Sequence, residues 1–292
     1  MPTALDSRGL MTSRGDRASW LRFPSPRPDA ELRLYLLHAA GSSTAMYRTW
    51  PYLLPAGVEP VLVQLPGRAG RIAETPITEY TAAVEALDEV LGDHADRPYA
   101  LFGHSMGALL AFGLAARREA ADRRRPAHLF VSGCAHPGSD RIRRPSSQHD
   151  DARLVAGLRE MGGTDPEVLA VPELVELILP ILRADYRVCE SFVPPGTARL
   201  ETPVTVLGGT EDDISPAELR AWADWTVHPP EVASFPGGHF FLNGTAESAV
   251  IRTVADTLDR VQSPVQRGSR FSTKASGPST ASRLDILSCS QL

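Results

Sequence analysis

The sequence predicts an α/β fold, a mostly parallel central sheet flanked by helices with a helical lid inserted late in the chain. Three observations carry that reading. Short β-rich runs recur through residues 31–262, segments of helical period lie between several of them, and the stretch from about 140 to 200 reads as helices with no strand between. With 292 residues, 42% of them hydrophobic, the chain can bury a large core and suits one large α/β domain or two modest ones.

The elements follow in order. Residues 1–30 are polar and contain proline, so a poorly ordered leader is expected, with Met11 an alternative start. The strand runs are LRLYLLHA (32–39), PVLVQL (60–65), YALFG (99–103), HLFVSG (128–133), PVTVLGG (203–209) and VASF (232–235). Helical period marks EYTAAVEALDEVLGDHA (79–95) and GALLAFGLAARREAADR (107–123). DDARLVAGLREMGG (150–163) and PELVELILPILRADYRVCESF (172–192) make the lid insertion, placed above the carboxyl ends of the strands. Residues 263–292 are rich in Ser, Gly and Thr and are expected to be a disordered tail. The folded domain is therefore expected at 31–262.

Composition narrows the function classes. A formal charge of -5 leaves no global basic field for a phosphate backbone, which argues against nucleic acid as partner. Cys134, Cys189 and Cys289 form no CxxC pair and sit in a chain too large to need disulfide staples, which fits a reducing cytoplasmic setting. Neither a signal-peptide core nor the roughly 20 consecutive apolar residues of a membrane span is present, so no membrane role is expected.

Gly103-His104-Ser105-Met106-Gly107 fits G-x-S-x-G, with an apolar strand before it and a helix pattern directly after it. The strand must reverse into the helix within one or two residues, which leaves no room for side chains at the glycines and exposes the serine hydroxyl. A structural serine at a tight turn is the other reading, and it predicts no base within reach. As a nucleophile, Ser105 needs a histidine base oriented by a carboxylate, in the chain order Ser, acid, His. His239, behind the Pro-Gly-Gly turn after the last strand, satisfies that order; His228 precedes that strand and reads as a loop residue. Asp212, directly after a strand in GGTEDDIS, is the candidate acid, with Asp213 and then Glu211 as alternatives. Ser215 followed by Glu218 has helix-capping chemistry. For the oxyanion, the backbone N–H of Met106 is one candidate donor; the second is expected from LLHAAGSS (36–43), with Ala39 ahead of Ala40 and His38 in a structural role.

At these residues the chain resembles the type II thioesterases that accompany polyketide synthases and nonribosomal peptide synthetases. The resemblance runs from WLRF (20–23) through LHAAGSSTAMYRTW, VQLPGRAGRIAE, FGHSMGALLAF, ILPILRADYRVCESF and LGGTEDDISPAELRAW to FPGGHFFLNG. It implies the α/β-hydrolase fold and hydrolysis of acyl groups from the phosphopantetheine thiol of an acyl or peptidyl carrier protein, with no metal or organic cofactor. Such relatives commonly carry Pro where this chain has Leu37, Gly where it has Ala40, and Pro where it has Asp213, departures that keep Ala40 and Asp213 open as donor and acid. The implied partner is acidic, and Arg117, Arg118, Arg123, Arg124, Arg125 and the RRPSSQHDD segment (143–151) are candidate contacts for it. The chain is expected to act as a monomer. Two rivals use the same fold: a serine esterase or lipase for small esters, and a non-catalytic binder of carrier proteins.

Overall fold

The computed structural model describes residues 19–92, 96–195 and 199–262. In chain order the strands and helices are β1 (Leu21–Arg22), β2 (Leu32–Leu37), α1 (Trp50–Leu53), β3 (Val58–Val63), α2 (Tyr80–Gly92), β4 (Tyr99–His104), α3 (Met106–Ala120), β5 (His128–Ser132), α4 (Asp151–Met161), α5 (Pro166–Leu169), α6 (Pro172–Glu190), β6 (Val204–Gly209), α7 (Pro216–Arg220), β7 (Glu231–Phe235) and α8 (Glu247–Gln262). The strands form one sheet in the order β1-β3-β2-β4-β5-β6-β7. Pairing is parallel from β3 through β7, and β1 runs antiparallel to β3. The expected mostly parallel sheet is therefore present, with the six expected strands matched to within one or two residues at most ends.

Period-two alternation distributes the strand side chains between two cores. Tyr35 and Leu37 of β2 and Leu101 of β4 face α2 and α3, whereas Leu34, Leu36, Ala100 and Phe102 face α1 and α8. With both faces covered, β2, β3, β4, β5 and β6 are buried along almost their whole length. After β2 the chain crosses to β3 and returns to β4 on the other side of β2. That reversal puts the switch point of the sheet between β2 and β4, at whose carboxyl ends open α/β sheets take their ligands.

Two expectations change. The ordered chain begins well before residue 31: β1 pairs Leu21 with Val63, Gln64 N–H donates to Trp20 O at 2.7 Å, and Trp20 is 2% exposed under the Arg71 guanidinium. Arg27, deeper in the expected leader, donates to the carbonyls of Pro51, Leu54, Pro55 and Val58. A short edge strand and a single arginine staple carry no hydropathy period, so the composition of 19–30 read as loop. Residues 1–18 and 263–292, where the rest of the leader and the tail were expected, lie outside the described residues, as do 93–95 at the end of the helix expected at 79–95.

The arginines near the end of α3 are the second change. Asp88 of α2 accepts from Arg118 at 2.8 Å, Arg123 at 2.7 Å and Arg117 at 3.2 Å, so one carboxylate gathers three guanidiniums. Arg118 is buried by this pairing and by its bond to Arg124 O, which removes it from any docking surface.

The insertion at 140–200 is helical, as expected. α4, α5 and α6 share a small apolar cluster of Leu154, Leu158, Leu169, Leu179 and Leu182. Arg183 and Glu190 of α6 hold the 146–151 segment, Glu190 accepting from Ser147 N–H at 2.6 Å and Arg183 donating to Ser147 O and His149 O. Among the described residues no helix is long and apolar enough to cross a membrane.

The tightest backbone contact lies where α3 meets the sheet. A Cβ added at Gly107 would sit 2.3 Å from Leu37 O, and one added at Gly103 would sit 2.1 Å from Gly107 O. Backbone cannot yield as a side chain can, so Gly107→Ala is expected to destabilise the domain by about 3 kcal/mol or more. That corresponds to a Tm lower by roughly 6–12 °C for a domain of this size, measurable by thermal unfolding.

Candidate active site

Ser105 stands between β4 and α3 with φ 54° and ψ -119°, a conformation L-residues rarely adopt. Two close glycines and a hydrogen bond from Ser105 N–H to Ser132 O at 2.8 Å hold it there. From Tyr99 to Ala115 every residue is buried except Ser105, which is half-buried. The turn thus presents one hydroxyl from an otherwise closed strand and helix.

The loops after β6 and β7 are joined by backbone. Thr210 N–H donates to Phe235 O at 2.8 Å and Glu211 N–H to Gly237 O at 3.0 Å, while Gly209 lies so close that a Cβ there would be 2.3 Å from Gly238 O. This junction brings Asp212 to His239, with His239 Nδ1 3.0 Å from Asp212 Oδ2. An ionised carboxylate only accepts, so Nδ1–H donates and Nε2 is left with its lone pair. The Asp212 side chain is 5% exposed and that of His239 16%. Asp213 and Glu211, the alternative acids, are both exposed, and the Asp213 carbonyl receives Arg141. Ser215 caps α7 in a full capping box with Glu218, as its spacing predicts. His228, between α7 and β7, is exposed beside Glu201, 4.0 Å away.

His239 is placed against the turn by its neighbours. Its ring lies 5.0 Å, centroid to centroid, from that of His104, the residue before Ser105. Phe240 packs against both rings, edge-on to His239, and the lid approaches it so closely that a Cβ at Gly163 would fall 2.2 Å from Phe240 Cε2. Neither His104 nor Phe240 stands out in the sequence, since one fills a free position of the motif and the other reads as core.

The loop after β2 holds the remaining candidates. Ser42 N–H closes a turn onto Ala39 O at 3.2 Å, Gly41 takes φ 68°, and Gly41 N–H donates to Asp185 Oδ2 at 2.7 Å. Among the described residues, the N–H groups of Ala39 and Ala40 are the two in this turn without an acceptor. Met106 is the first residue of α3, so its N–H has no intrahelical partner either. Ala40 turns its methyl into the lid cluster, the use this chain makes of a residue larger than glycine. His38 is fully buried with Nδ1 2.9 Å from Ala39 O, the structural position expected for it.

Comparison with known proteins follows the geometry. The profile of the thioesterase domain matches residues 32–258. Linear gramicidin dehydrogenase LgrE of Brevibacillus parabrevis is 35% identical over 243 residues, 82% of this chain and 92% of that protein. The type II thioesterase BorB from the borrelidin biosynthetic cluster superposes with a TM-score of 0.75 at 36% identity, covering 82% of this chain and 97% of that one. YbtT, a type II thioesterase from the yersiniabactin NRPS/PKS pathway, gives 0.74 at 28% identity over 84% of this chain and 100% of that one. The chain belongs to the thioesterase family. It is a thioester hydrolase on an α/β-hydrolase fold, of the type II kind found with nonribosomal peptide and polyketide pathways.

Three buried histidines tie the stability of this domain to pH. Burial, and then the positive Arg68 nearby, lowers His38 to about 3; burial, and then Arg260, lowers His128 to about 4; burial, and then His239, holds His104 well below the ordinary imidazole range. Below pH 6.5 the unfolded chain binds three protons that the folded chain refuses, so stability is full above 6.5 and falls as pH drops through the unfolded value. At about 1.4 kcal/mol per pH unit and proton, the loss from pH 7.5 to 5.5 is expected to be about 4 kcal/mol, read from urea midpoints. His128→Gln, which keeps a donor for Thr205 Oγ1, is expected to remove about one third of that pH dependence.

Proposed function

We propose that this thioesterase clears acyl groups from the phosphopantetheine thiol of acyl or peptidyl carrier proteins. Ser105 is the nucleophile, His239 the general base and acid, Asp212 the group that orients it, and the N–H groups of Met106 and Ala39 the oxyanion donors. The observation that carries this reading is the 3.0 Å bond from His239 to Asp212, with the His239 ring 5.0 Å from that of His104, the residue before the strained, half-buried Ser105.

The reaction runs in two halves. His239 Nε2 takes the Ser105 hydroxyl proton as Oγ attacks the thioester carbonyl carbon, and the charge that develops on the carbonyl oxygen meets the Met106 and Ala39 N–H groups. The tetrahedral species collapses with cleavage of the C–S bond, and His239 returns the proton to the departing pantetheine sulfur. Water then gives a proton to Nε2 and adds to the acyl-serine ester; collapse frees the carboxylic acid, and Ser105 Oγ recovers its proton from His239. Asp212 stabilises the imidazolium in both halves without taking its proton.

The carrier protein is the proposed partner of the lid side of the molecule. Arg143 and Arg144 are exposed where the 143–151 segment rests on α6, whereas Arg124 and Arg125, exposed after α3, lie beside Tyr99 at the amino ends of the strands, away from the lid. Arg143 and Arg144 are therefore the arginines singled out in the sequence that the lid side offers, since Arg117, Arg118 and Arg123 are committed to Asp88.

The test is turnover of a panel of acyl groups loaded on a carrier protein. Ser105→Ala is expected to lower kcat by about 10⁴-fold or more, and Asp212→Asn by about 10³–10⁴-fold through the wrong imidazole tautomer. Asp213→Asn is expected to stay within about threefold of the parent, as its exposed side chain makes no bond to His239. Small esters turned over with higher kcat/KM than carrier thioesters would replace this substrate reading with that of an esterase.

A further inference from the structure

Two motifs that the proposed triad does not use meet in the fold. They are Pro66-Gly67-Arg68 in the loop after β3 and Arg183-Ala184-Asp185 in the lid helix α6. Arg68 and Asp185 face each other as a two-pronged pair, Nη1 to Oδ2 at 2.6 Å and Nη2 to Oδ1 at 2.7 Å, with side chains 4% and 1% exposed. Removing two charges from water is costly, and apolar residues of similar volume commonly stabilise a core at least as well. Stability alone therefore does not account for this pair, whereas its other bonds give it a use.

Both members of the pair grip the loop after β2. Asp185 Oδ2 accepts from Gly41 N–H at 2.7 Å, and Arg68 Nη1 donates to Ser42 O at 3.2 Å, while Arg68 Nε is tied to Pro66 O. The carboxylate thus holds the loop's N–H and the guanidinium its carbonyl. Leu182, one helical turn before Asp185, lies where a Cβ at Gly41 would come within 2.9 Å of its Cδ1, and Ala40 packs into the lid cluster. Lid and loop are one mechanical unit at this point.

We propose that Arg68 and Asp185 are positioning residues that place the oxyanion loop from the lid. With Gly41 and Ser42 committed, the peptide units of Ala39 and Ala40 are oriented by what holds their neighbours, and the lid helix sets that hold. The inference rests on the assignment of the oxyanion to this loop made above. Its kinetic signature follows from the role: the chemical step slows while substrate binding does not.

Asp185→Asn and Arg68→Lys keep the volume of the site but lose the paired geometry. Each is expected to lower kcat by about 10–100-fold with KM within about threefold, and to weaken a boronic acid that adds to Ser105 by the same factor as kcat/KM. The pair Arg68→Met with Asp185→Leu is expected to keep the parent's Tm within a few degrees and still turn over at least about 10-fold more slowly, which a purely structural role would not produce. Parent-like kcat and boronate affinity in any folded variant of the three, or a loss that only tracks the folded fraction, overturns the proposal. The measurements use whichever substrate the parent turns over best, so a preference for esters defeats the carrier reading without touching this one. Parent-like activity in Ser105→Ala defeats the site assignment itself.

Discussion

The contact between the first turn of α3 and the ends of β2 and β4 governs the rest of this molecule. At Gly103 and Gly107 backbone packs on backbone with no space for a methyl group, so the chain can leave β4 and enter α3 only through the strained conformation of Ser105. Strain of this kind costs of order 1–3 kcal/mol, and it persists because the surrounding sheet is already fully paired. The same closeness aligns the free N–H at the start of α3 with the loop after β2, which the sheet order has made its neighbour.

Around that contact the polar groups are secured by backbone more than by side chains. The loops after β6 and β7 are knitted by main-chain bonds from Thr210 and Glu211, and Asp212 and His239 meet as a consequence. The pair therefore needs little side-chain entropy to stay formed, which suits the role of base proposed for His239. His104, held by burial well below the ordinary imidazole range, packs beside His239.

The lid is bound to this arrangement through charge. Asp185 reaches from α6 to Gly41 and Arg68 from the loop after β3 to Ser42, while Phe240 next to His239 lies under Gly163. The insertion thus touches the loop after β2 directly and His239 through Phe240. A helical cap that only covered the sheet would have no need of either contact.

Much was legible in the sequence by itself. Alternating strand and helix periods, two glycines around one serine, and the order of serine, acid and histidine determined the fold class and named Ser105 and His239, because these are local patterns with local causes. Ser215 and Glu218 were readable for the same reason. The sequence leaves Glu211, Asp212 and Asp213 alike, since three adjacent carboxylates differ in direction and not in kind; in the folded chain it is Asp212 that meets His239. Only the tertiary structure placed Trp20 and Arg27 in the ordered domain, because an edge strand of two residues and a staple of carbonyl bonds leave no periodic trace. It alone joined Arg68 to Asp185, 117 positions apart in the chain, where what counts is the meeting of two loops and a helix around one peptide turn.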